Sequence, residues 1–218
     1  MVALKVLKTT SSRMVARLER EAILASRVVH ANVVPLHDLG QTPDGQAYLA
    51  FGLASDGTLL DLSGDPPPWP ILQRLISQTL SALGALHARN ILHLDVKMSN
   101  LLLHRRGPSL SIWLADLGVA RALFDEDEEN RIFGTVSYMP AERLRGQYHL
   151  WGPQADLFSL GVMLFRLLTG HLPFPSLDPR EALSQRKQPP IGLRIRPGYA
   201  VPQGLDQVIL PLLQYHHA

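Results

Sequence analysis

Near the start of the chain, the spacing of hydrophobic residues changes from the alternation of a strand to the spacing of a helix. Residues 2–8 alternate around Lys5, with apolar residues on both sides of it. This pattern is typical of a strand that carries a lysine into a cleft, and an edge strand with a solvated lysine is the alternative. Residues 12–27 have helical spacing, and Glu21 falls on the apolar face. A carboxylate on that face needs a cation, and Lys5 is the candidate.

The remaining apolar runs predict helices separated by short strands. Helical spacing predicts helices over residues 71–89, 154–168 and 205–213, and short apolar runs predict strands over 47–53, 91–92 and 101–103. Asp44 and Gly45 predict a hairpin turn before the strand that begins at residue 47. Residues 65–70 contain four prolines, so a stiff, non-helical loop is expected there.

Composition narrows the class of protein. With 218 residues, of which 46% are hydrophobic and 18% charged, the chain can bury a core as one globular unit or as two lobes. The net charge is +2 and the basic residues are scattered, so no nucleic-acid or anionic-membrane partner is indicated. The absence of cysteine excludes disulfides, thiolate metal sites and cysteine catalysis, and it fits a cytoplasmic location. No apolar run reaches membrane-spanning length.

One cluster of polar residues has the parts that phosphoryl transfer needs. That reaction requires a carboxylate near the attacking hydroxyl, cation ligands and a lysine that neutralises charge. Asp95, Lys97 and Asn100 follow the spacing Asp-x-Lys-x-x-Asn, and Asp116 lies further along the chain. Asp95 would accept the hydroxyl proton and Lys97 would neutralise charge on the moving phosphoryl group. Asn100 and Asp116 would supply hard oxygen ligands for magnesium.

These residues resemble the catalytic loop and the metal-binding motif of eukaryotic-type (Hanks-type) serine/threonine protein kinases. Further kinase motifs follow in the order that the family uses: Val2 to Lys5, Glu21, His93 to Asn100, Asp116 to Gly118, Gly134 with Thr135, and Glu142. The resemblance covers essentially the whole chain and favours a bacterial source. It implies an α+β, kinase-like bilobal fold, with a small lobe over residues 1–53 and a mainly helical large lobe over residues 54–218.

ATP and Mg²⁺ are the cofactors that the resemblance implies. The pair of Lys5 and Glu21 would hold the α- and β-phosphates, and Asn100 with Asp116 would bind the metal. Further residues are assigned to the nucleotide site by resemblance alone: Ala3, Phe51 at the gatekeeper position, Gly52 and Ala54 in the hinge, and Leu102.

The block from Gly134 to Glu142 resembles the kinase segment that follows the activation loop. By that resemblance Thr135 would bond Asp95 and Lys97. The block also implies that the partner is a protein with a serine or threonine hydroxyl rather than a tyrosine.

Two buried polar residues are expected to support the loop rather than to react. Asp156 lies in the predicted helix over residues 154–168, so it needs partners, and backbone N–H groups of the catalytic loop would supply them. His93 is expected to be a packed structural histidine.

Control by phosphorylation is not expected. Many kinases have an arginine where this chain has Leu94, and that arginine pairs with a phosphate on the activation loop. No Ser, Thr or Tyr lies between Gly118 and Gly134. We expect the acidic run over residues 125–129 to be solvated, and the loop to be ordered by a partner or by apolar packing. The apolar residues available for that packing are Leu123, Ile132 and Phe133.

Relative to the family pattern, the chain is expected to be truncated at both ends. It begins at the lysine strand, so we expect no glycine-rich loop and a small-lobe sheet with an exposed edge, completed by a missing segment or a partner. It ends before the helix that carries the arginine partner of Glu142, and an unpaired buried carboxylate there would cost about 3 to 5 kcal/mol.

One other class of function stays open beside the protein kinase, and a third is disfavoured. A non-catalytic kinase-like (pseudokinase) binding module, or a truncated gene product, is the main alternative. A kinase acting on a small molecule is disfavoured, because the Gly-Thr-x-x-Tyr-Met block belongs to kinases that bind peptides. The chain keeps all six polar residues of the kinase motifs, which favours the enzyme. They are Lys5, Glu21, Asp95, Lys97, Asn100 and Asp116.

Overall fold

A computed structural model describes residues 1–8, 12–117, 120–122, 134–190 and 192–214. Within these ranges the strands are β1 (Val2–Val6), β2 (Leu36–Gln41), β3 (Ala47–Gly52), β4 (Ile91–Leu92), β5 (Leu101–Arg106), β6 (Ser109–Leu114) and β7 (Arg121–Ala122). The helices are α1 (Ser12–Ser26), α2 (Trp69–His87), α3 (Ala141–Leu144), α4 (Pro153–Thr169), α5 (Pro179–Arg186) and α6 (Asp206–Leu212). A small sheet-rich part therefore precedes a mainly helical part, as the α+β expectation required.

The small part is a three-stranded antiparallel sheet in the order β1-β3-β2, with α1 packed against it. Its apolar contact is made by Leu18 and Ala22 of α1 with Leu49 of β3, all buried. In the register of β1 and β3, Lys5 lies opposite Leu49. The predicted strand, helix and lysine position are confirmed. β1 lies at one edge of the sheet, and its side chains Val2 and Leu4 are exposed.

The hairpin between β2 and β3 turns at Gly45, as predicted. Gly45 has φ +76°, in the left-handed region that glycine adopts without steric cost. Its N–H donates to the carbonyl of Thr42 (2.8 Å), and the N–H of Thr42 donates to the carbonyl of Gln46 (2.8 Å). The turn fixes the register of β3, which ends at the residues assigned to the nucleotide.

Helix α2 begins two residues before the predicted start. Pro70 lies in its first turn, where the missing proline N–H would have no partner within the helix in any case. The expectation that residues 65–70 are wholly non-helical was therefore wrong for Trp69 and Pro70.

Helix α4 is the buried centre of the large part, as its apolar pattern predicted. It has Pro153 in its first turn, and Gly170 caps its C-terminal end, with φ +87° and an N–H that donates to the carbonyl of Arg166 (2.8 Å). Its side chains and those of α2 belong to one continuous hydrophobic core. Among the described residues, no helix combines the length and the apolar character that crossing a bilayer requires.

The loop at residues 93–100 lies between two short strand pairs. β4 pairs with β7 on one side, and β5 forms a hairpin with β6 on the other. The predicted strand over residues 101–103 is the first half of β5, and β6 was not predicted. The loop ends in a 3-10 turn over Met98–Asn100. Because the N–H of Ala115 donates to the carbonyl of Asn100 (2.9 Å), the base of the hairpin places residue 116 beside residue 100.

Candidate active site

Lys5 and Glu21 form the ion pair that their sequence positions predicted. The Lys5 Nζ lies 2.8 and 2.7 Å from the two carboxylate oxygens of Glu21 and 3.0 Å from Oδ1 of Asp116. Glu21 is 3% exposed, whereas the Lys5 side chain is 43% exposed. The lysine thus joins helix α1 to Asp116 and keeps a solvent-facing side.

Burial and pairing act on these two groups in opposite ways. Burial tends to lower the pKa of Lys5, but the hydrogen bonds and charges of Glu21 and Asp116 outweigh it and raise the pKa above 10.5. Burial raises the pKa of Glu21 above its ordinary value, against the hydrogen bond from Lys5. Lys5 is therefore firmly cationic at neutral pH.

The carboxylate of Asp95 is held by donors on both oxygens. Oδ2 accepts from Lys97 Nζ (2.7 Å) and from Asn100 Nδ2 (3.2 Å). Oδ1 accepts from the N–H (3.2 Å) and the hydroxyl (3.3 Å) of Thr135. Lys97 also donates to the Thr135 hydroxyl (3.2 Å). The structure thus brings Asp95, Lys97, Asn100 and Thr135 together.

The backbone before Asp95 is held from below by Asp156. This fully buried carboxylate accepts the N–H of His93 (2.9 Å) and of Leu94 (2.7 Å), and His87 Nε2 lies 2.8 Å from it. Burial alone would raise the pKa of Asp156, but the hydrogen bond from His87 and the two backbone donors outweigh it and lower the pKa below its ordinary value of 3.8. The predicted support of the loop by Asp156 is confirmed.

His93 is a packed structural histidine, as expected. Its ring is fully buried, and Nε2 lies 3.0 Å from the carbonyl of Ala115. Because a carbonyl can only accept, we assign the ring proton to Nε2. Nδ1 then accepts the N–H of Asp95 (3.3 Å).

Asn100 and Asp116 lie at the two ends of the β5–β6 hairpin, and each side chain has an oxygen atom that could bind a metal. The amide nitrogen of Asn100 donates to the backbone carbonyl of Asp95 (2.9 Å), so Oδ1 is the atom that Asn100 could offer to a metal. Asp116 is 42% exposed and has φ +68°. One amide oxygen and one carboxylate fit Mg²⁺, which takes one or two protein oxygens and completes its shell with phosphates and water. Among the described residues, no group of three or more His, Cys, Asp or Glu side chains could hold a metal without such help.

The residues assigned to the nucleotide base lie along the end of the small sheet and on β5. Ala3 is paired with Phe51, and both are half-buried. Ala54 and Leu102 are half-buried as well. The N–H of Gly52 donates to the carbonyl of Pro35 (2.9 Å), so it cannot donate to a base. Their role in binding a nucleotide stays a prediction.

The sequence model of a protein family, described as the protein kinase domain, matches residues 1–215. These residues include every residue of the site. The chain belongs to the protein kinase domain family. It is similar to the serine/threonine-protein kinase pkn3 of Myxococcus xanthus, with 32% identity over 100% of this chain and 42% of that protein. The serine/threonine-protein kinase PrkC of Bacillus subtilis is 32% identical over 96% of the chain and 32% of its own length. The serine/threonine-protein kinase PknF of Mycobacterium tuberculosis is 36% identical over 88% of the chain and 43% of its own length.

This kinase domain therefore spans less than half the length of those three relatives, between 32 and 43% of each. The bacterial serine/threonine-protein kinases among its relatives agree with the resemblance that the motifs indicated.

Several residues predicted for the activation segment lie outside the described residues. They are Gly118, Leu123, the acidic run over residues 125–129, Ile132 and Phe133. Their expected solvation or packing stays a prediction.

Two buried arginines of the kinase domain were not predicted from the sequence. Nη1 of Arg143 donates to the carbonyl of Leu94. Arg186 donates to three backbone carbonyls of the segment after Thr135: Met139 (3.0 Å), Val136 (3.3 Å) and Ser137 (2.9 Å). Burial lowers the pKa of each arginine to about 10, so both stay charged at neutral pH. No local pattern marks either residue, since arginine is ordinarily a surface residue.

Glu142 differs from its expected state. It is half-buried rather than buried, so the predicted cost of an unpaired buried carboxylate does not apply. Glu142 lines a cavity of about 370 Å³ together with Arg186, Phe158 and Leu212. The cavity lies between the segment after Thr135 and helix α6.

Proposed function

We propose that the chain is a serine/threonine protein kinase domain that transfers the γ-phosphoryl group of ATP to a protein hydroxyl. The observation that carries this proposal is the arrangement at Asp95, whose carboxylate is bound at once by Lys97, Asn100 and Thr135. A carboxylate so constrained is suited to orient one incoming hydroxyl and to accept its proton.

The chemistry follows from the positions of these groups. The oxygen of a substrate serine or threonine would attack the γ-phosphorus while the bond from that phosphorus to the β-phosphate oxygen breaks, and ADP leaves. The hydroxyl proton would pass to Asp95. Lys97 lies 2.7 Å from Asp95 Oδ2 and 3.2 Å from the Thr135 hydroxyl, so it would neutralise negative charge on the phosphoryl group being transferred.

The nucleotide side of the site rests on Lys5. Its ammonium is held by Glu21 and by Asp116, and its side chain is 43% exposed, so it would bind phosphate oxygens in place of Asp116 when that carboxylate binds Mg²⁺. Asn100 Oδ1 and the Asp116 carboxylate would hold Mg²⁺, and a bound magnesium ion supplies neutralisation of the phosphate charge. Because the N–H of Gly52 is engaged, we expect the adenine base to take a backbone donor from Ala54, with Ala3, Phe51 and Leu102 as apolar walls.

Incubation of the purified 218-residue chain with labelled ATP and two peptide libraries tests the proposal. One library carries Ser and Thr acceptors and the other carries Tyr. We expect Mg²⁺-dependent label on the first library, and a loss of about a thousandfold in Asp95→Asn, since a positioned base contributes 10² to 10⁴ in rate. Asp44→Asn removes the same charge from the exposed hairpin turn and should behave as the parent.

Other outcomes would refute the proposal. ATP binding by the parent without transfer to peptide or to itself would support the non-catalytic binding module. Equal rates for Asp95→Asn and Asp44→Asn would mean that Asp95 does not serve the reaction.

A further inference from the structure

Arg143 is a buried cation next to the catalytic loop. It is 3% exposed, and its Nη1 donates to the carbonyl of Leu94. Its guanidinium lies over the ring of Trp151, 5.2 Å from the ring centre. Trp151 packs in turn against the apolar cluster that contains Leu94. Trp151 thus contacts both the arginine and the cluster of the residue that the arginine bonds.

Leu94 has an unusual backbone. Its φ is +63°, a left-handed conformation that a residue with a β-carbon rarely adopts. The next residue is Asp95, so the turn at Leu94 sets the direction in which the carboxylate points. A small rotation at this residue would displace the carboxylate relative to Lys97 and Thr135.

Both backbone groups of Leu94 are held by buried charges of opposite sign. Asp156 accepts its N–H (2.7 Å), and Arg143 donates to its carbonyl. Burial lowers the pKa of Arg143 to about 10, while Asp156, Asp95 and Glu142 act to raise it. Arg143 is therefore charged at neutral pH, and its field reaches the Asp95 carboxylate.

We propose that Arg143 is a positioning residue for phosphoryl transfer, which holds the left-handed turn at Leu94 and thereby aims Asp95 at the substrate hydroxyl. This inference rests on the proposed kinase function. It is distinct from a purely structural role, in which the arginine would stabilise the fold without affecting the direction of Asp95.

Three variants separate these roles. Arg143→Met removes the charge and the donors, and Arg143→Lys keeps the charge and N–H donors but loses the planar guanidinium. Arg89→Met is the matched control, because Arg89 is exposed and also donates to a backbone carbonyl, that of Ala85 (3.0 Å). Each variant is measured for kcat, for KM of ATP, for melting temperature and for amide exchange in the peptide over residues 92–98.

We expect Arg143→Met to lower kcat by about a hundredfold, because misplacement of a catalytic group by about 1 Å costs that much. The KM of ATP should stay within about threefold, since the nucleotide contacts are untouched. Exchange over residues 92–98 should rise in Arg143→Met and not in Arg89→Met. Arg143→Lys should fall between the parent and Arg143→Met.

A folded Arg143→Met with parent kcat and parent exchange would overturn the inference. If Arg143→Met does not fold, Arg143→Lys decides: a lower kcat at parent KM supports positioning, and a lower melting temperature at parent kcat refutes it. If the parent transfers no phosphoryl group, the kinase proposal fails. The exchange measurement then still shows whether Arg143 holds the turn at Leu94.

Discussion

Asp156→Asn is expected to destabilise the kinase domain by about 2 kcal/mol and to lower its activity at the same time. In the parent, Oδ1 accepts the N–H of Leu94 (2.7 Å), and Oδ2 accepts the N–H of His93 (2.9 Å) and lies 2.8 Å from His87 Nε2. The side chain of Asp156 is fully buried, so water cannot replace a lost bond.

The magnitude follows from counting acceptors at Asp156. The N–H groups of His93 and Leu94 bond different oxygens of Asp156. An asparagine replaces one of those oxygens with an NH₂ group, so one of the two N–H groups then faces a donor. One buried N–H then loses its partner, which costs about 1 to 3 kcal/mol. The other N–H now bonds a neutral amide oxygen instead of a charged carboxylate, and the weaker bond costs about 1 kcal/mol more. Because asparagine is neutral, the variant does not pay the desolvation cost of a buried carboxylate, and this offsets part of the loss. A net cost of about 2 kcal/mol remains.

Urea unfolding of the parent, Asp156→Asn and Asp61→Asn would measure this cost. Asp61 is the matched control, since it accepts the N–H (2.7 Å) and the hydroxyl (2.9 Å) of Thr58 while exposed to water. Its variant should lose much less stability. A difference between Asp156→Asn and the parent below about 0.5 kcal/mol, the range of ordinary surface changes, would refute the reasoning.

The pH dependence of this difference has a definite sign. The pKa of Asp156 is lowered in the fold, so its stabilisation is present above the ordinary value of 3.8 and is lost as the pH falls through the folded pKa. The stability difference between the parent and Asp156→Asn should therefore shrink in acid.

Three further predictions concern the nucleotide side and the acidic run. Asp116→Asn should abolish transfer and leave the melting temperature nearly unchanged, because that carboxylate is half-exposed; transfer at the parent rate would exclude it as a metal ligand. Lys5→Met should raise the KM of ATP and lower the melting temperature, since Glu21 stays buried without its cation; parent values of both would contradict the pairing. Replacement of residues 125–129 by Gln and Asn should keep kcat within about threefold, as a solvated run requires, whereas a loss of several orders of magnitude would show that the run orders the loop.

The parts of the fold that the sequence predicted are those set by local periodicity. Glu21 is an example. Helical spacing places its carboxylate on the apolar face of a helix, and a carboxylate there needs a cation from the strand that the helix faces. The predicted contacts of Thr135 with Asp95 and Lys97 came from resemblance, and the distances agree with them.

The buried arginines could not be predicted, because their burial depends on contacts between distant segments. Arg143 bonds a carbonyl 49 positions away, and Arg186 bonds one 47 positions away. Every residue has a backbone carbonyl, so the type of the accepting residue does not indicate either bond. Strand β6 was missed for a related reason, since its pairing with β5 is a register between two short segments rather than a local period.

The direction of Asp95 thus depends on two charges that lie outside the site itself. A left-handed leucine costs about 1 to 2 kcal/mol, and a hydrogen bond to a charged group contributes about 1.5 to 3 kcal/mol. Asp156 and Arg143 supply one such bond each to Leu94, so together they outweigh the backbone strain. Because each charge is buried, solvent cannot take the place of either. The loop is consequently held in its strained form by the fold itself, and in the proposed reaction the cost of aligning Asp95 would be met in folding rather than in each catalytic cycle.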